Sequence, residues 1–128
     1  MNREEINLST VILEWSDWVS WNDLEIDSRG DNGIRVPNGI PGVYEVKYQD
    51  AEELLTIGKT NDLRFRIKQG LVKGKTGHSA GENIRANEAV SRLVVRWAVT
   101  DRPAAVEEEL HKKYRERYGR LPKYVKHT

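Results

Sequence analysis

The sequence predicts an α+β domain with a small three-stranded sheet, mixed or antiparallel, that is flanked by helices. Two β-rich segments at residues 43–48 and 52–57 are separated by a tight turn, and a third, rich in valine, lies at residues 93–99. Segments with helical spacing lie on either side of these strands. A chain of 128 residues is long enough for one such domain with its own hydrophobic core.

The domain is predicted to begin near residue 40. Residues 27–41 are rich in Gly, Asn, Asp and Pro, which indicates a loop. This loop divides the chain into an N-terminal helical extension, residues 1–39, that packs on the core and a motif-bearing domain, residues 40–128.

The extension is predicted to contain one helix over residues 3–21, since its apolar residues roughly follow helical spacing. Trp15, Trp18 and Trp21 are three positions apart and are expected to share one face. Packing against the domain is the commoner use of tryptophan. Stacking on nucleobases is disfavoured here, because the acidic residues nearby would repel phosphates.

The first two strands are predicted to form a hairpin. With residues 49–51 in the turn, Tyr44 lies opposite Thr56, and Lys47 lies opposite Glu53 as a favourable charge pair. A slip of one residue would exchange the faces of the second strand, so this register is an inference from turn length.

Capping and stop signals predict three helices in the domain. They are residues 62–69 ending at Gly70, residues 79–90 opening at the capping box Ser79-Ala80-Gly81-Glu82, and residues 103–118 with Asp101 as the cap and Gly119 as the stop. Arg66 flanks the apolar stripe of the first helix, so its side chain is expected at the edge of the sheet.

Charge is divided unevenly along the chain. Residues 1–54 carry a balance of −8 and residues 55–128 a balance of +9, which gives the net charge of +1. A basic segment of this kind suits a surface that meets polyanions, although an unevenly charged solvated surface is equally compatible with it. The lack of cysteine, of an apolar run of membrane length and of a signal-like N-terminus predicts a cytoplasmic protein with no membrane partner.

The motifs of the domain resemble those of the GIY-YIG nuclease family. Gly42-Val43-Tyr44 resembles the first family motif, and Thr56-Ile57-Gly58 resembles the second, with Thr56 in place of its tyrosine. The run after Gly58 resembles the family sequence that ends in an arginine, here Arg66. The last helix resembles the one that carries the family's metal-binding glutamate, here Glu107.

The resemblance implies hydrolysis of phosphodiester bonds with one divalent metal ion, Mg²⁺ or Mn²⁺. It implies that Glu107 holds the metal and that Arg66 binds the phosphate. Tyr44 is the candidate for the general base or for the group that orients water, with Lys59 favouring its phenolate. DNA is the expected substrate, and RNA is left open.

Further candidates come from the residues themselves. Glu107 shares its helix face with His111, which is a candidate supporting residue. His78 is placed just before a helix N-terminus, whose positive end favours the neutral imidazole, so it is a candidate base. It would take the place of the tyrosine or histidine that members of the family often have at the position of Gly70. Candidate contacts to nucleic acid are Arg64, Lys68, Lys73 and Lys75, and the candidate supporting residues in the second motif are Thr56 and Gly58.

Two other functions stay open. Thr56, Gly70 and Gly119 depart from the family pattern, which is compatible with a nucleic-acid-binding module that has lost catalysis. The acidic, tryptophan-bearing N-terminus is compatible with a protein-interaction domain, so a protein partner is also considered. The sequence does not decide between a monomer and a homodimer.

Overall fold

The computed structural model describes residues 2–6, 11–26 and 36–125, which form an α+β fold as the sequence predicts. The strands in these ranges are β1 (Arg3–Glu5), β2 (Ile12–Glu14), β3 (Val19–Ser20), β4 (Gly42–Tyr48), β5 (Leu54–Thr60) and β6 (Leu93–Val99). The helices are α1 (Trp21–Ile26), a π-helix (Phe65–Val72), α2 (Ser79–Asn87), a 3₁₀ turn (Val90–Arg92) and α3 (Pro103–Tyr118). No helix in the described ranges is long and apolar enough to cross a bilayer.

The central sheet has four strands in the order β3-β6-β4-β5, and every neighbouring pair is antiparallel. The prediction of three strands missed β3, in which Val19 and Ser20 pair with β6. Two residues are too few to give a recognisable alternation in the sequence. Through β3, the N-terminal part of the chain contributes directly to the central sheet.

The helix predicted over residues 3–21 is wrong. β1 and β2 instead form an antiparallel pair with Arg3 opposite Glu14. In β2, Leu13 is buried whereas Ile12 and Glu14 are exposed, which is the alternation of a half-buried strand. The apolar residues of this short segment fit both periods, so periodicity alone did not separate a helix from a strand. Of the predicted loop at 27–41, residues 27–35 lie outside the described ranges.

The tryptophans pack inward, as predicted, but they do not share one face. Trp21 belongs to the core on one side of the sheet, together with residues of α1, the π-helix and α2. Trp15 belongs to a second core on the other side, together with Leu13 and the inner residues of α3. Trp18 is partly buried, and Lys47 and Arg96 lie over its ring.

The predicted register of the β4–β5 hairpin is also wrong. Tyr44 lies opposite Gly58, and Lys47 lies opposite Leu54. The register shifts between Val46 and Lys47, which indicates a β-bulge. The predicted register is already one residue off on the turn side of the bulge, since Lys47 lies opposite Leu54 and not Glu53. The bulge, of which the sequence gives no sign, adds a second residue of displacement beyond it.

The helix predicted at residues 62–69 continues further than expected. It includes Gly70 and ends at Val72 as a π-helix, in which the amide of Lys73 donates to the carbonyl of Lys68 over 3.0 Å. Gly70 is buried inside it and does not act as a stop. The π-helix is a rare form that often occurs at functional sites, and composition does not predict it.

The other two helices lie close to their predicted positions. α2 ends at Asn87 and not at residue 90, and its N-cap is His78 and not Ser79. α3 has the predicted bounds, and Gly119 follows it in the left-handed conformation with φ of 74°. The N-cap of α3 is Arg102 and not Asp101, and it makes no side-chain capping bond.

Candidate active site

A cleft of about 260 Å³ lies where the edge strand β5 meets the π-helix, α2 and α3. Its lining includes four residues of β5, Thr56–Lys59, and one or two from each of the other elements and from β4. The sequence-predicted residues that line it are Tyr44, Thr56, Gly58, Lys59, Arg66, His78, Glu107 and His111. Every catalytic, metal-binding and supporting residue predicted from the sequence therefore lies in one cleft.

The phenol of Tyr44 crosses over Gly58, its partner on β5. A methyl group built on Gly58 would lie 2.2 Å from Cζ and 2.3 Å from the hydroxyl oxygen of Tyr44. Glycine is therefore required at position 58 because the phenol occupies the space of a side chain. Burial raises the pKa of Tyr44 to about 12, although Arg66 acts in the opposite direction. The phenol is consequently protonated at neutral pH.

Substitution of Gly58 by alanine is expected to destabilise the protein by about 1–3 kcal/mol, because the added methyl group displaces the Tyr44 ring. The free energy of unfolding, measured at equilibrium in urea, tests this expectation. Gly77→Ala is the matched control, since a methyl group there meets no atom within 4 Å. Equal stability of the two variants would contradict the proposed contact.

His78 connects α2 to Tyr44. Its Nδ1 accepts the amide N–H of Gly81 over 3.0 Å, so the ring itself caps the helix. Its Nε2 lies 2.8 Å from the hydroxyl oxygen of Tyr44. Burial lowers the pKa of His78 to about 4, with further contributions from Arg66 and Arg85. His78 is therefore neutral at pH 7, as the sequence predicts. The main cause is burial of the ring and not the positive end of the helix.

Gly70 provides the space for this histidine. A methyl group built on Gly70 would lie 3.2 Å from Cδ2 of His78, closer than most side-chain contacts. His78 therefore occupies the volume that a side chain at position 70 would need. The absence of a side chain at 70 and the presence of a histidine at 78 are two parts of one arrangement.

Arg66 projects from the π-helix into the same cleft and is partly buried. Its Nη1 donates to the carbonyl oxygen of Gly77 over 2.9 Å. Its charge lowers the pKa of both Tyr44 and His78, which shows that the guanidinium acts electrostatically on both rings. The side chain is thus held at a fixed place and retains further donors for an anion.

Glu107 lies on the α3 side of the cleft and is partly buried. Burial raises the pKa of its carboxyl group, while His111 and Lys59 oppose that change. His111 is buried beside it, with Nε2 at 3.4 Å from the carbonyl oxygen of Ile57. Lys59 is exposed at the end of β5.

The donor set fits a hard ion held by a single carboxylate. Within the described ranges, no group of three or more His, Asp or Glu side chains is arranged to hold a metal. Mg²⁺ keeps most of its water ligands and takes only one or two carboxylates, so Glu107 alone is a sufficient protein ligand. A nearby cation would also offset the cost of ionising this partly buried group.

The four predicted contacts to nucleic acid lie outside the cleft lining. Lys68 is only 2% exposed and is not a surface contact, so its prediction is wrong. Lys68 lies in the π-helix, among residues whose side chains face the interior. Arg64 donates from Nε to the carbonyl of Val36 over 2.9 Å, whereas Lys73 is partly buried and Lys75 is exposed.

The sequence reasoning missed the C-terminal wall of the cleft, which Tyr124 and Val125 provide. The amide of Tyr124 donates to the carbonyl of Leu55 over 2.8 Å, so this segment runs beside β5. Glu88 fixes it by accepting hydrogen bonds from Tyr124, Lys123 and Tyr48. No periodic pattern marks such an irregular segment, so the sequence offered no signal for it.

Substitution of Glu88 by glutamine is expected to destabilise the protein at neutral pH by about 1.5–3 kcal/mol, the usual value of hydrogen bonds to a charged group. Burial alone would raise the pKa of Glu88, but its bonds to Lys123, Tyr124 and Tyr48 outweigh that effect and lower it to about 2. A lowered pKa means that the stabilisation is complete above the ordinary value of 4.5 and is lost as the pH falls toward 2.

The measurement is urea unfolding of the wild type and Glu88→Gln between pH 7 and pH 2.5. The difference in the free energy of unfolding is expected to shrink as the pH falls. Glu116→Gln, at an exposed position of α3, is the control and is expected to unfold as the wild type does. A difference for Glu88→Gln that stays constant with pH would contradict the role of its charge.

A second cavity, of about 380 Å³, lies on the α3 side of the sheet and has a different character. One of its four cations, Lys47, donates to the carbonyl oxygen of Ala51, and the other three are paired with carboxylates of the protein itself. The pairs are Arg96–Glu45, Lys113–Glu4 and Arg117–Glu52. These charges satisfy one another, which leaves the first cleft as the candidate active site.

No family model matches the chain, and neither a curated protein nor a solved structure matches it. The assignment of a function therefore depends on the chemistry of the cleft.

Proposed function

We propose that this protein is a metal-dependent endonuclease of the GIY-YIG type that hydrolyses phosphodiester bonds in DNA. The observation that carries the proposal is the convergence of Tyr44, Arg66 and Glu107, which come from a strand, a π-helix and the last helix, in one cleft. A phenol, a guanidinium and a carboxylate together suit the binding and hydrolysis of a phosphodiester.

In this proposal, Arg66 binds the phosphate and stabilises the negative charge that develops in the transition state. Its planar group presents several donors, of which one is used by Gly77. Lys59 lies at the exposed margin of the cleft and adds positive charge where the strand of DNA would enter. Tyr44 is the group placed to transfer a proton to or from a reacting oxygen.

Glu107 would hold the divalent ion, Mg²⁺ or Mn²⁺, with water molecules as the other ligands. When bound, such an ion neutralises charge on the phosphate and on the leaving oxygen. His111 lies one turn further along α3, is buried in the same cleft, and opposes the rise in the pKa of Glu107. Thr56 replaces the second tyrosine of the family motif, and its short hydroxyl side chain is suited to orienting a water molecule and not to removing a proton.

The proposal is tested by incubation of supercoiled plasmid with the protein, with and without Mg²⁺ or Mn²⁺. Nicking that requires the metal is the expected result. Salt-sensitive binding of DNA without any cleavage would instead favour the catalytically degenerate nucleic-acid-binding module, for which Thr56 is the main argument. Absence of both binding and cleavage at low salt would contradict both functions. The same assay on single-stranded RNA decides the preference between DNA and RNA.

A further inference from the structure

The hydrogen bonds of His78 fix which of its nitrogens carries the proton. Nδ1 lies 3.0 Å from the amide nitrogen of Gly81, and an amide N–H can only donate. Nδ1 therefore accepts this bond with its lone pair and carries no proton, so in a neutral imidazole the proton must be on Nε2. The 2.8 Å contact between Nε2 and Tyr44 is consequently a bond in which His78 donates and the phenol oxygen accepts.

The charged neighbour of the phenol cannot accept a hydrogen bond either. Arg66 lines the same cleft and its charge lowers the pKa of Tyr44, but a guanidinium has only donors. The hydroxyl hydrogen of Tyr44 is therefore directed toward neither His78 nor Arg66. The remaining direction is the open cleft, where Glu107 and Thr56 lie.

We propose that Tyr44 acts as a general acid that protonates the oxygen leaving phosphorus, and that His78 is a positioning residue that fixes this direction. The proposal rests on the proposed nuclease function and specifies the role of its phenol. In the step, the oxygen of water forms a bond to phosphorus as the bond from phosphorus to the leaving oxygen breaks. The leaving oxygen takes the proton of Tyr44, the attacking water gives up a proton to solvent on the opposite side of phosphorus, and the phenolate recovers a proton from solvent in the cleft.

This direction of proton transfer is opposite to the one that the sequence suggested for Tyr44 and His78. A phenol oxygen whose in-plane lone pair accepts from His78 presents its hydrogen, and not that lone pair, to the cleft. Likewise, neither nitrogen of His78 presents a lone pair to the cleft, because Nδ1 is used by the helix and Nε2 carries the proton. A phenol that stays protonated at neutral pH is also the form that an acid needs.

The first experiment compares two DNA substrates with wild type and Tyr44→Phe, both with Mn²⁺. One substrate has the normal oxygen at the leaving position, and the other has a sulfur atom there, whose thiolate leaves without protonation. Tyr44→Phe is expected to lose roughly 10²-fold or more on the oxygen substrate, the usual contribution of a general acid. It is expected to lose less than about fivefold on the sulfur substrate, since no proton is needed there.

Equal losses on the two substrates would overturn the proposal and restore Tyr44 as a base, while the nuclease function would stand. Failure of the wild type to cleave either substrate would overturn the nuclease function and this proposal with it. Tyr118→Phe, on α3 and outside the cleft lining, is the control and is expected to keep the wild-type ratio of the two rates.

The second experiment determines the tautomer of His78 by long-range ¹H–¹⁵N correlation spectra at pH 7. The expected spectrum has a protonated Nε2 and an unprotonated Nδ1, and the opposite pattern would overturn the positioning role. His78→Gln and His78→Asn separate this role from helix capping. Asparagine keeps an acceptor for Gly81 but is too short to reach Tyr44, whereas glutamine offers an N–H donor.

His78→Asn is therefore expected to lower the rate on the oxygen substrate more than on the sulfur substrate, as Tyr44→Phe does. His78→Gln is expected to recover part of that difference, although glutamine cannot act as a base. If His78 had only a structural role, its substitution would lower the cleavage rates of both substrates by the same factor. Equal losses of rate on the two substrates for His78→Asn would overturn the assignment of His78. Full inactivity of His78→Gln with an intact fold would overturn it as well.

Discussion

Substitution of Glu107 by glutamine is expected to reduce metal-dependent cleavage of DNA by roughly 10³-fold, because the change removes the one carboxylate that the cleft offers to the ion. A metal ion contributes several kcal/mol of charge stabilisation to a reaction at phosphorus, and a loss of about 4 kcal/mol corresponds to this factor. The measurement is the single-turnover rate of plasmid nicking with Mg²⁺ and with Mn²⁺.

The fold is expected to tolerate this change. Burial raises the pKa of Glu107, so the ionised side chain is less favourable in the folded protein than in the unfolded chain. The destabilisation from this charge is present above the folded pKa and is relieved as the pH falls through it. A neutral glutamine removes that cost, and the melting temperature of Glu107→Gln at neutral pH is not expected to fall.

The metal itself provides a readout that does not depend on catalysis. An ion that binds only the folded protein raises the melting temperature in proportion to its binding, and this increase is expected for the wild type and not for Glu107→Gln. Glu108→Gln is the matched control, since this neighbour is exposed and does not line the cleft. A Glu107→Gln variant that nicks plasmid at the wild-type rate would refute the metal site.

The sequence was sufficient to predict the polar residues of the cleft but not its C-terminal wall, because each predicted residue belongs to a short motif. α3 has the predicted bounds and β4 begins one residue earlier than predicted, whereas β5 lies at Leu54–Thr60 and not at residues 52–57. Once these elements are correct, the antiparallel pairing of β4 with β5 and the packing of α3 bring Tyr44 and Glu107 to one edge of the sheet. The predicted place of Arg66 depended only on where the helix after β5 begins.

The errors come from features that local sequence does not encode. The bulge between Val46 and Lys47 displaces the register and is decided by packing in the folded state. Neither the π-helix at Phe65–Val72 nor the burial of Lys68 within it has a signal in the local sequence. The N-terminal segment was assigned to the wrong type, because too few residues pair in β1 and β2 to reveal a period. The direction of the His78–Tyr44 hydrogen bond required the position of the Gly81 amide.

Substitution of Arg66 by alanine is expected to reduce the turnover of DNA by roughly 10²–10³-fold, the usual loss when one donor to a developing oxyanion is removed. Arg66→Lys is expected to recover only part of this loss, because an ammonium lacks the planar fork that binds two oxygens. Arg117→Ala is the matched control. Arg117 pairs with Glu52 on the surface and does not line the cleft, so its loss should leave the turnover within a few-fold of wild type.

An NMR titration of His78 separates loss of the Arg66 charge from a general disturbance of the cleft. The guanidinium of Arg66 disfavours a second positive charge nearby and, after burial, is the next contribution that lowers the pKa of His78 to about 4. Arg66→Ala should therefore raise the pKa of His78 toward its ordinary value, whereas Arg117→Ala should leave it unchanged. A slow Arg66→Ala variant with an unshifted His78 would mean that the guanidinium lies away from the two rings. Its effect on turnover would then have to come from another part of the protein.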